Sequence, residues 1–173
     1  TFDVDLATPA FLEYPVNALA GSMIRSRTPP LWNPYQGCGV PLNAQYSTSV
    51  FFPYQALMNA CPWRVWDHWM LGRLLFAGFF TYLFLISSGL GSAAAAIGGM
   101  MFMLSGSMVW FINLQQYINT AMVLPLLMFC AQKLVSCRQR RWRVWTAVSV
   151  ALVLVAGQPE VAAYIVLFCA AGV

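Results

Sequence analysis

The sequence predicts an all-α fold, a polytopic bundle of membrane helices preceded by an outer loop that carries short interfacial helices. Three observations predict it. Of the 173 residues, 60% are hydrophobic and only 8% are charged, whereas soluble domains carry about 25% charged residues. Apolar segments follow one another from Leu71 onward. A basic run between residues 133 and 143 holds five of the nine Lys and Arg residues, as the cytoplasmic loop of a membrane protein would.

Residues 1–67 are the least hydrophobic part and form the first predicted unit, an extracytoplasmic loop. Thr8-Pro9 reads as a helix start, and Pro15 should kink that helix or restart it. The predicted helix has Asn17 and Arg25 opposite its apolar stripe, so we expect it to lie in the membrane interface. The stripe consists of Leu12, Val16, Leu19, Ala20, Met23 and Ile24.

The segment Pro29–Gln45 is rich in Pro, Gly and Asn, which disfavour a helix interior, yet it is too apolar for a solvated linker. We therefore predict a loop with one built conformation, packed against the outer ends of the helices. A short helix should start at Pro53 and run to Ala60. Trp residues at positions 63, 66 and 69 then mark the membrane boundary.

Residues 68–173 form the second predicted unit, the transmembrane bundle. Two polar stretches, Ser88–Ser92 and Asn113–Thr120, should be turns between its helices. The chain starts with Thr and stops inside an apolar run, so we expect a piece of a longer protein that lacks its first transmembrane helix and its C-terminal part. The five apolar segments are about 71–87, 93–112, 121–134, 144–156 and 161–173.

Charge then orients the bundle in the cell membrane. If 135–143 is cytoplasmic under the positive-inside rule, residues 1–67, the Asn113–Thr120 turn and the Gly157–Glu160 turn all lie outside. Every polar motif of interest therefore falls on one face. The same basic run is too short and too closely flanked by apolar segments to favour a nucleic-acid partner.

Three carboxylates on that face are candidate catalytic residues. Asp3 and Asp5 could act as a general base or bind a metal, or they could be a solvated pair. Glu160 follows the helix breakers Gly157 and Pro159, and a charge at membrane depth is tolerated mainly where it lines a cavity. The alternative is a plain turn that places Glu160 at a helix N-terminus, where the dipole favours it.

The candidate substrate-binding residues are polar side chains near the same face. Arg73, inside an apolar segment, could extend to the interface, bind an anionic head group or pair with a carboxylate. Gln115 and Asn119 could hydrogen-bond a polar ligand, although a turn outside a membrane is often equally polar. The other two candidates, Asn33 and Gln45, belong to the Pro/Gly-rich loop. The outer cysteines Cys38 and Cys61 leave a disulfide open.

Several motifs resemble the YfhO-like bacterial membrane proteins, a family similar in architecture to the GT-C glycosyltransferases. The most specific one runs from Thr28 through Tyr35 and continues to Ala44-Gln45. Phe51-Phe52-Pro53, Leu104-Ser105-Gly106, Leu124-Pro125-Leu126 and Ala156-Gly157-Gln158-Pro159-Glu160 also match, with Gln158 where members commonly have His.

The resemblance implies an enzyme that transfers a sugar from a polyprenyl-phosphate carrier to a cell-envelope polymer or lipid acceptor on the outer face. In that class an acidic residue of the first outer loop serves as base or as ligand to a divalent metal such as Mg or Mn, which points to Asp5 or Asp3. Family members often carry this acid shortly before Tyr14-Pro15, where this chain has Thr8, and Glu13 is the other nearby carboxylate.

Two other function classes stay open on the sequence. A transporter or flippase for a lipid-linked or amphiphilic solute would have broken helices and an inverted repeat, and the chain shows one break, at Gly157–Glu160, and no repeat. An assembly subunit without a site would tolerate changes at the outer carboxylates.

Overall fold

A computed structural model describes residues 11, 13–44, 48–137 and 139–172, and these are mostly helical. This confirms the predicted all-α bundle. The helices are α1 (Tyr14–Arg25), α2 (Pro53–Ala60), α3 (Trp66–Ser87), α4 (Ser92–Met103), α5 (Gly106–Trp110), α6 (Gln115–Cys137), α7 (Arg140–Val155) and α8 (Pro159–Gly172). The short strands β1 (Trp32–Asn33) and β2 (Val40–Pro41) pair between α1 and α2.

Helix α1 begins at the proline that was expected to kink or restart it, since Pro15 lies in its first turn, where a missing N–H costs nothing. Its buried face differs from the predicted stripe. Asn17 and Gly21 are buried together with Val16 and Ala20, so the placement of Asn17 on the exposed side was wrong. The reason is tertiary: Asn17 finds hydrogen-bond partners in the bundle, which a helical-wheel pattern cannot show.

The Pro/Gly-rich loop folds back on itself as an antiparallel hairpin. Trp32 pairs with Pro41, and the turn between the strands uses positive φ at Gly37, Cys38 and Gly39. A Cβ on Gly39 would lie 2.6 Å from the Trp32 ring, so only glycine allows the indole to cover the turn. Leu42, directly after β2, is fully buried. The described part of the loop is thus a hairpin anchored by the buried Leu42.

In the part of the chain that the structure describes, three helical segments are long and apolar enough to cross a membrane: Trp63–Ser87, Ser92–Trp110 and Gln115–Cys137. The second is interrupted at Leu104 and Ser105, which divide α4 from α5. The third starts at Gln115, so the predicted Asn113–Thr120 turn holds for Asn113 and Leu114 and was wrong from Gln115 onward. Its polar residues are the first turns of α6, and they are buried, because amides can enter a helix where other amides pair with them.

Helix α3 packs against both α4 and α6, and α6 also packs against α7. The α3–α4 crossing is close because glycines meet there: a Cβ on Gly99 would lie 2.7 Å from the Gly78 carbonyl oxygen. Large apolar side chains such as Leu75 and Phe79 face outward, as they would toward lipid. The core joins Leu74, Ala77, Ile118, Met122, Val123, Leu127, Val153, Ala156, Ala162 and Ile165.

Contacts gather the N-terminal ends of α3, α6 and α8 with the α1–α2 segment at one end of the bundle, here called the polar end. Tyr54 donates a 2.6 Å hydrogen bond to the Trp69 carbonyl, and Gln158 donates one of 2.9 Å to the Tyr117 hydroxyl. The Ser49 hydroxyl donates to the Ala156 carbonyl. Lys133, near the C-terminus of α6, lies toward the opposite end. This arrangement agrees with the predicted gathering of polar motifs.

Candidate functional site

A buried network of amide side chains lies at the polar end, and Gln55 of α2 is its centre. The Gln55 Nε2 donates to the Gln115 Oε1 at 2.7 Å and to the Asn59 Oδ1 at 3.0 Å. Its Oε1 accepts from Arg73 Nη2 at 2.6 Å and from Asn119 Nδ2 at 3.4 Å. Gln55 is fully buried, so both ends of one amide are used to join α2, α3 and α6.

Asn17 closes the network from α1. Its Nδ2 donates to the Gln115 Oε1 at 2.8 Å, and its Oδ1 accepts from the Asn59 Nδ2 at 3.4 Å. Buried amides that satisfy one another fix the relative positions of the helices that carry them. We call Glu13, Asn17, Gln55, Asn59, Arg73, Gln115 and Asn119 together the polar cluster.

Arg73 is the cation of the polar cluster, and none of its surface is exposed. Besides Gln55, its Nη2 lies 3.4 Å from the Met58 sulfur, and its guanidinium carbon lies 5.8 Å from the centre of the Tyr54 ring. Its Nε and Nη1 atoms have no hydrogen-bond partner among the described residues. A guanidinium carries five N–H donors, so most of the hydrogen-bonding capacity of Arg73 is unused.

Glu13 is the anion of the polar cluster and is 1% exposed. The Gln115 backbone N–H is the donor nearest to its carboxylate, and neither oxygen accepts a hydrogen bond from a side chain in the part of the chain that the structure describes. Burial raises the pKa of Glu13 to about 7, and the nearby Gln115 backbone N–H and the positive charge of Arg73 oppose that rise. A carboxyl group that exchanges its proton near neutral pH is suited to general acid–base chemistry.

Three of the residues predicted to bind substrate come together here, since Arg73, Gln115 and Asn119 all belong to the polar cluster. Asn33 is buried in the loop instead, where its Oδ1 accepts a 3.0 Å hydrogen bond from the Tyr35 N–H. It lines a cavity of about 450 Å³ on the other side of α1, together with Val16 and Leu19.

Of the predicted catalytic residues, Glu160 is described by the structure, and it is not part of the polar cluster. Glu160 lies exposed in the first turn of α8, as the helix N-terminus alternative expected. Asp3, Asp5 and Gln45 lie outside the described residues. Cys38 and Cys61 are free thiols.

The divalent metal that the family resemblance implied stays a prediction, because its expected ligands Asp5 and Asp3 lie outside the described residues. The described residues themselves contain no group of three or more His, Cys, Asp or Glu side chains that could hold a metal ion. Glu13 stands without a second carboxylate, and the charge of Arg73 beside it would repel a cation, whereas Mg²⁺ sites combine carboxylates with phosphates or water. The polar cluster is therefore suited to an anion rather than to a metal ion.

Four members of the polar cluster were missed as site residues: Glu13, Asn17, Gln55 and Asn59. A sequence signal for them exists, because three segments each carry a polar pair at positions i and i+4. The pairs are Glu13 with Asn17, Gln55 with Asn59, and Gln115 with Asn119. The two members of such a pair lie on one side of a helix. Because so apolar a chain cannot expose all of its polar side chains to water, the three pairs are expected to hydrogen-bond to one another.

Comparisons with protein-family models, with curated proteins and with solved structures find no match for this chain. The family resemblance therefore rests on the sequence motifs alone.

Proposed function

We propose that the protein is a membrane glycosyltransferase that transfers a sugar from a polyprenyl-phosphate carrier to a cell-envelope acceptor. One observation carries the proposal. Among the described residues, a buried guanidinium with unpaired N–H donors and a buried carboxylate that accepts no side-chain hydrogen bond share one polar cluster at the end of an apolar helix bundle. Charged groups in such a place are costly and mark functional sites by default.

Arg73 binds the carrier phosphate in this proposal. Its Nε and Nη1 donors are unused, and hydrogen bonds from a guanidinium to a phosphate are about twice as strong as neutral ones. The carrier is an amphiphile, so its tail needs an apolar surface beside the phosphate. Phe76, three positions after Arg73 and therefore on the same side of α3, is 45% exposed and packs against the Tyr54 ring that also faces the guanidinium, so it offers such a surface.

Glu13 is the general base in this proposal, in place of the Asp5 or Asp3 to which the resemblance points. The acceptor hydroxyl attacks the anomeric carbon while the bond from that carbon to the phosphate oxygen breaks. The hydroxyl proton goes to Glu13, and the carrier leaves as a phosphate whose charge Arg73 stabilises. A pKa of about 7 lets Glu13 accept that proton near neutral pH.

The proposal keeps the predicted location and orientation. The protein lies in the cell membrane, the polar end faces outward, and residues 135–143 face the cytoplasm. Acceptors of the cell envelope then reach the polar cluster from the outside.

Sugar transfer in membranes, with a radiolabelled polyprenyl-phosphate sugar as donor, tests the proposal. We expect Glu13→Gln and Arg73→Gln each to lower the rate by about 100-fold or more, the range for losing a proton-transfer or charge-stabilising group. Asp67→Asn removes an exposed carboxylate from α3 and is the matched control, expected to keep the wild-type rate. Full activity of Glu13→Gln, with loss in Asp3→Asn, Asp5→Asn or Glu160→Gln, would move the base to that residue.

A transporter or flippase is the second candidate, and one observation favours it. The second membrane-spanning segment is interrupted at Leu104–Ser105, and broken helices are typical of transporters. Counterflow of a lipid-linked sugar in proteoliposomes, without any covalent product, would replace the transferase proposal by this one.

A further inference from the structure

We infer that Gln55 is a positioning residue that holds Arg73 with a neutral partner, so that the guanidinium charge stays available to the anion it binds. The inference rests on the proposed phosphate site at Arg73 and goes further, because it assigns the selectivity of that site for anions to a residue that need not touch the ligand.

Gln55 holds Arg73 by a short hydrogen bond. The 2.6 Å hydrogen bond from Arg73 Nη2 to the Gln55 Oε1 is the shortest polar contact that holds the guanidinium in place. Gln55 is itself fixed by Asn59 and Gln115 through its Nε2. The guanidinium is thereby held through Nη2, and its Nε and Nη1 have no hydrogen-bond partner among the described residues.

The side chains that hold Arg73 are neutral. Buried Arg side chains in proteins are usually paired with a carboxylate, which cancels their charge. Here every hydrogen-bond partner of Arg73 among the described residues is a neutral amide or a thioether. Glu13 is near enough to influence the charge of Arg73, but neither of its oxygens is hydrogen-bonded to the guanidinium. The amide orients Arg73 without adding a negative charge, and no carboxylate of the described residues is hydrogen-bonded to the guanidinium.

The full chain in detergent micelles offers a direct test with two probes of equal tail, citronellyl phosphate and citronellol. We expect wild-type protein to prefer the phosphate. Gln55→Glu supplies a carboxylate of the same shape and should reduce phosphate affinity by about tenfold or more, the effect of neutralising a close charge pair. It should leave citronellol binding unchanged. Gln132→Glu adds the same charge near the C-terminal end of α6, far from Arg73, and should not alter either affinity.

Gln55→Met distinguishes the role of Gln55 in orienting Arg73 from the effect of a charge at position 55. The side chain is neutral and similar in size, so the preference for the phosphate should survive while its affinity drops several-fold, about as much as one lost hydrogen bond. A purely structural role for Gln55 predicts that both probes lose affinity in proportion, and this result would overturn the inference. If Gln55→Glu does not fold, an unchanged phosphate affinity in Gln55→Met overturns it as well.

The two proposals fail in different ways. Wild-type protein that binds the phosphate no better than the alcohol overturns both the phosphate site and the role of Gln55. A wild-type preference for the phosphate that persists in Gln55→Glu overturns the role of Gln55 alone. Inorganic phosphate as competitor distinguishes a site for free phosphate from one for the lipid-linked group.

Discussion

The Asn17 side chain donates a 2.8 Å hydrogen bond to the Gln115 side chain, although 98 positions separate the two residues. This bond joins α1, which lies outside the apolar bundle, to the first turn of α6. Both residues are buried, so α1 owes its position to the bundle as much as to its own apolar residues.

Asn17→Leu should therefore destabilise the protein. It removes an amide that serves as donor and acceptor and leaves the Asn59 Nδ2 without its Asn17 partner, which costs about 1–3 kcal/mol. The measurement is the thermal unfolding midpoint in detergent. Ser22→Ala, which removes an exposed hydroxyl bonded only within α1, is the control and should leave the midpoint nearly unchanged. Equal midpoints for both variants would show that the Asn17 contacts contribute nothing.

Glu13 should make stability and activity depend on pH in opposite directions. Its pKa is about 7 in the folded protein against an ordinary value of 4.5. Below pH 4.5 both states are protonated, so the carboxyl costs nothing. As pH rises through 4.5 toward 7, the unfolded chain loses its proton first, and the folded state loses stability by about 1–3 kcal/mol.

Glu13→Gln should remove this dependence, so we expect the variant to unfold at a higher temperature than wild-type protein at pH 8 and at the same temperature at pH 4. Sugar transfer by wild-type protein should instead rise as pH passes through 7, because the base must be deprotonated. A wild-type stability that is flat between pH 5 and pH 8 would contradict the burial of Glu13.

Gly21 should tolerate no larger side chain. A Cβ at this position would lie 2.2 Å from the Asn59 carbonyl oxygen, so Gly21→Ala must push α1 away from α2. Overpacking of this kind costs about 1–3 kcal/mol, and it should lower the thermal midpoint and the sugar-transfer rate together. Gly91→Ala has no atom within 4 Å of the added Cβ and is the control. If both variants unfold alike, α1 and α2 are not in close contact.

The predicted orientation can be tested with two native cysteines. Cys38 lies exposed in the hairpin loop and Cys137 lies exposed at the C-terminus of α6, at opposite ends of the bundle. In intact cells a membrane-impermeant maleimide should label Cys38 and spare Cys137, with Cys38→Ser and Cys137→Ser identifying the labelled site. Labelling of Cys137 instead would invert the orientation and place the polar cluster on the cytoplasmic side.

Much of the fold could be predicted from local pattern alone. Hydropathy locates the apolar helices, and Pro53 marks the start of α2 where the structure has it. The hydropathy pattern gives the wrong prediction at Gln115 and Asn119, because a stretch of polar residues lowers the local mean hydropathy and is then assigned to a turn. Their burial depends on Gln55, which is 60 positions before Gln115.

The polar cluster could be predicted only in part for the same reason. Arg73 stands out in the sequence because a charge within an apolar run is rare. Glu13 and Asn17 do not stand out, since a polar residue on an outer helix ordinarily faces water. Only the i, i+4 pairing repeated on three segments distinguishes them, and that pattern identifies partners without giving distances.

The close contact at Gly157 has a consequence for how the protein is assembled. A Cβ there would lie 2.7 Å from both the Gln116 Cβ and the Ser49 Oγ, so the turn between α7 and α8 fits directly onto two earlier segments. Synthesis proceeds from the N-terminus, so more than a hundred residues are added after Ser49 before its hydroxyl can bond to the Ala156 carbonyl. Until the last helical hairpin enters the membrane, the flank of α6 beside the polar cluster is uncovered. All residues of the polar cluster are therefore made before the turn at Gly157, which covers the neighbouring flank of α6 by packing against Gln116.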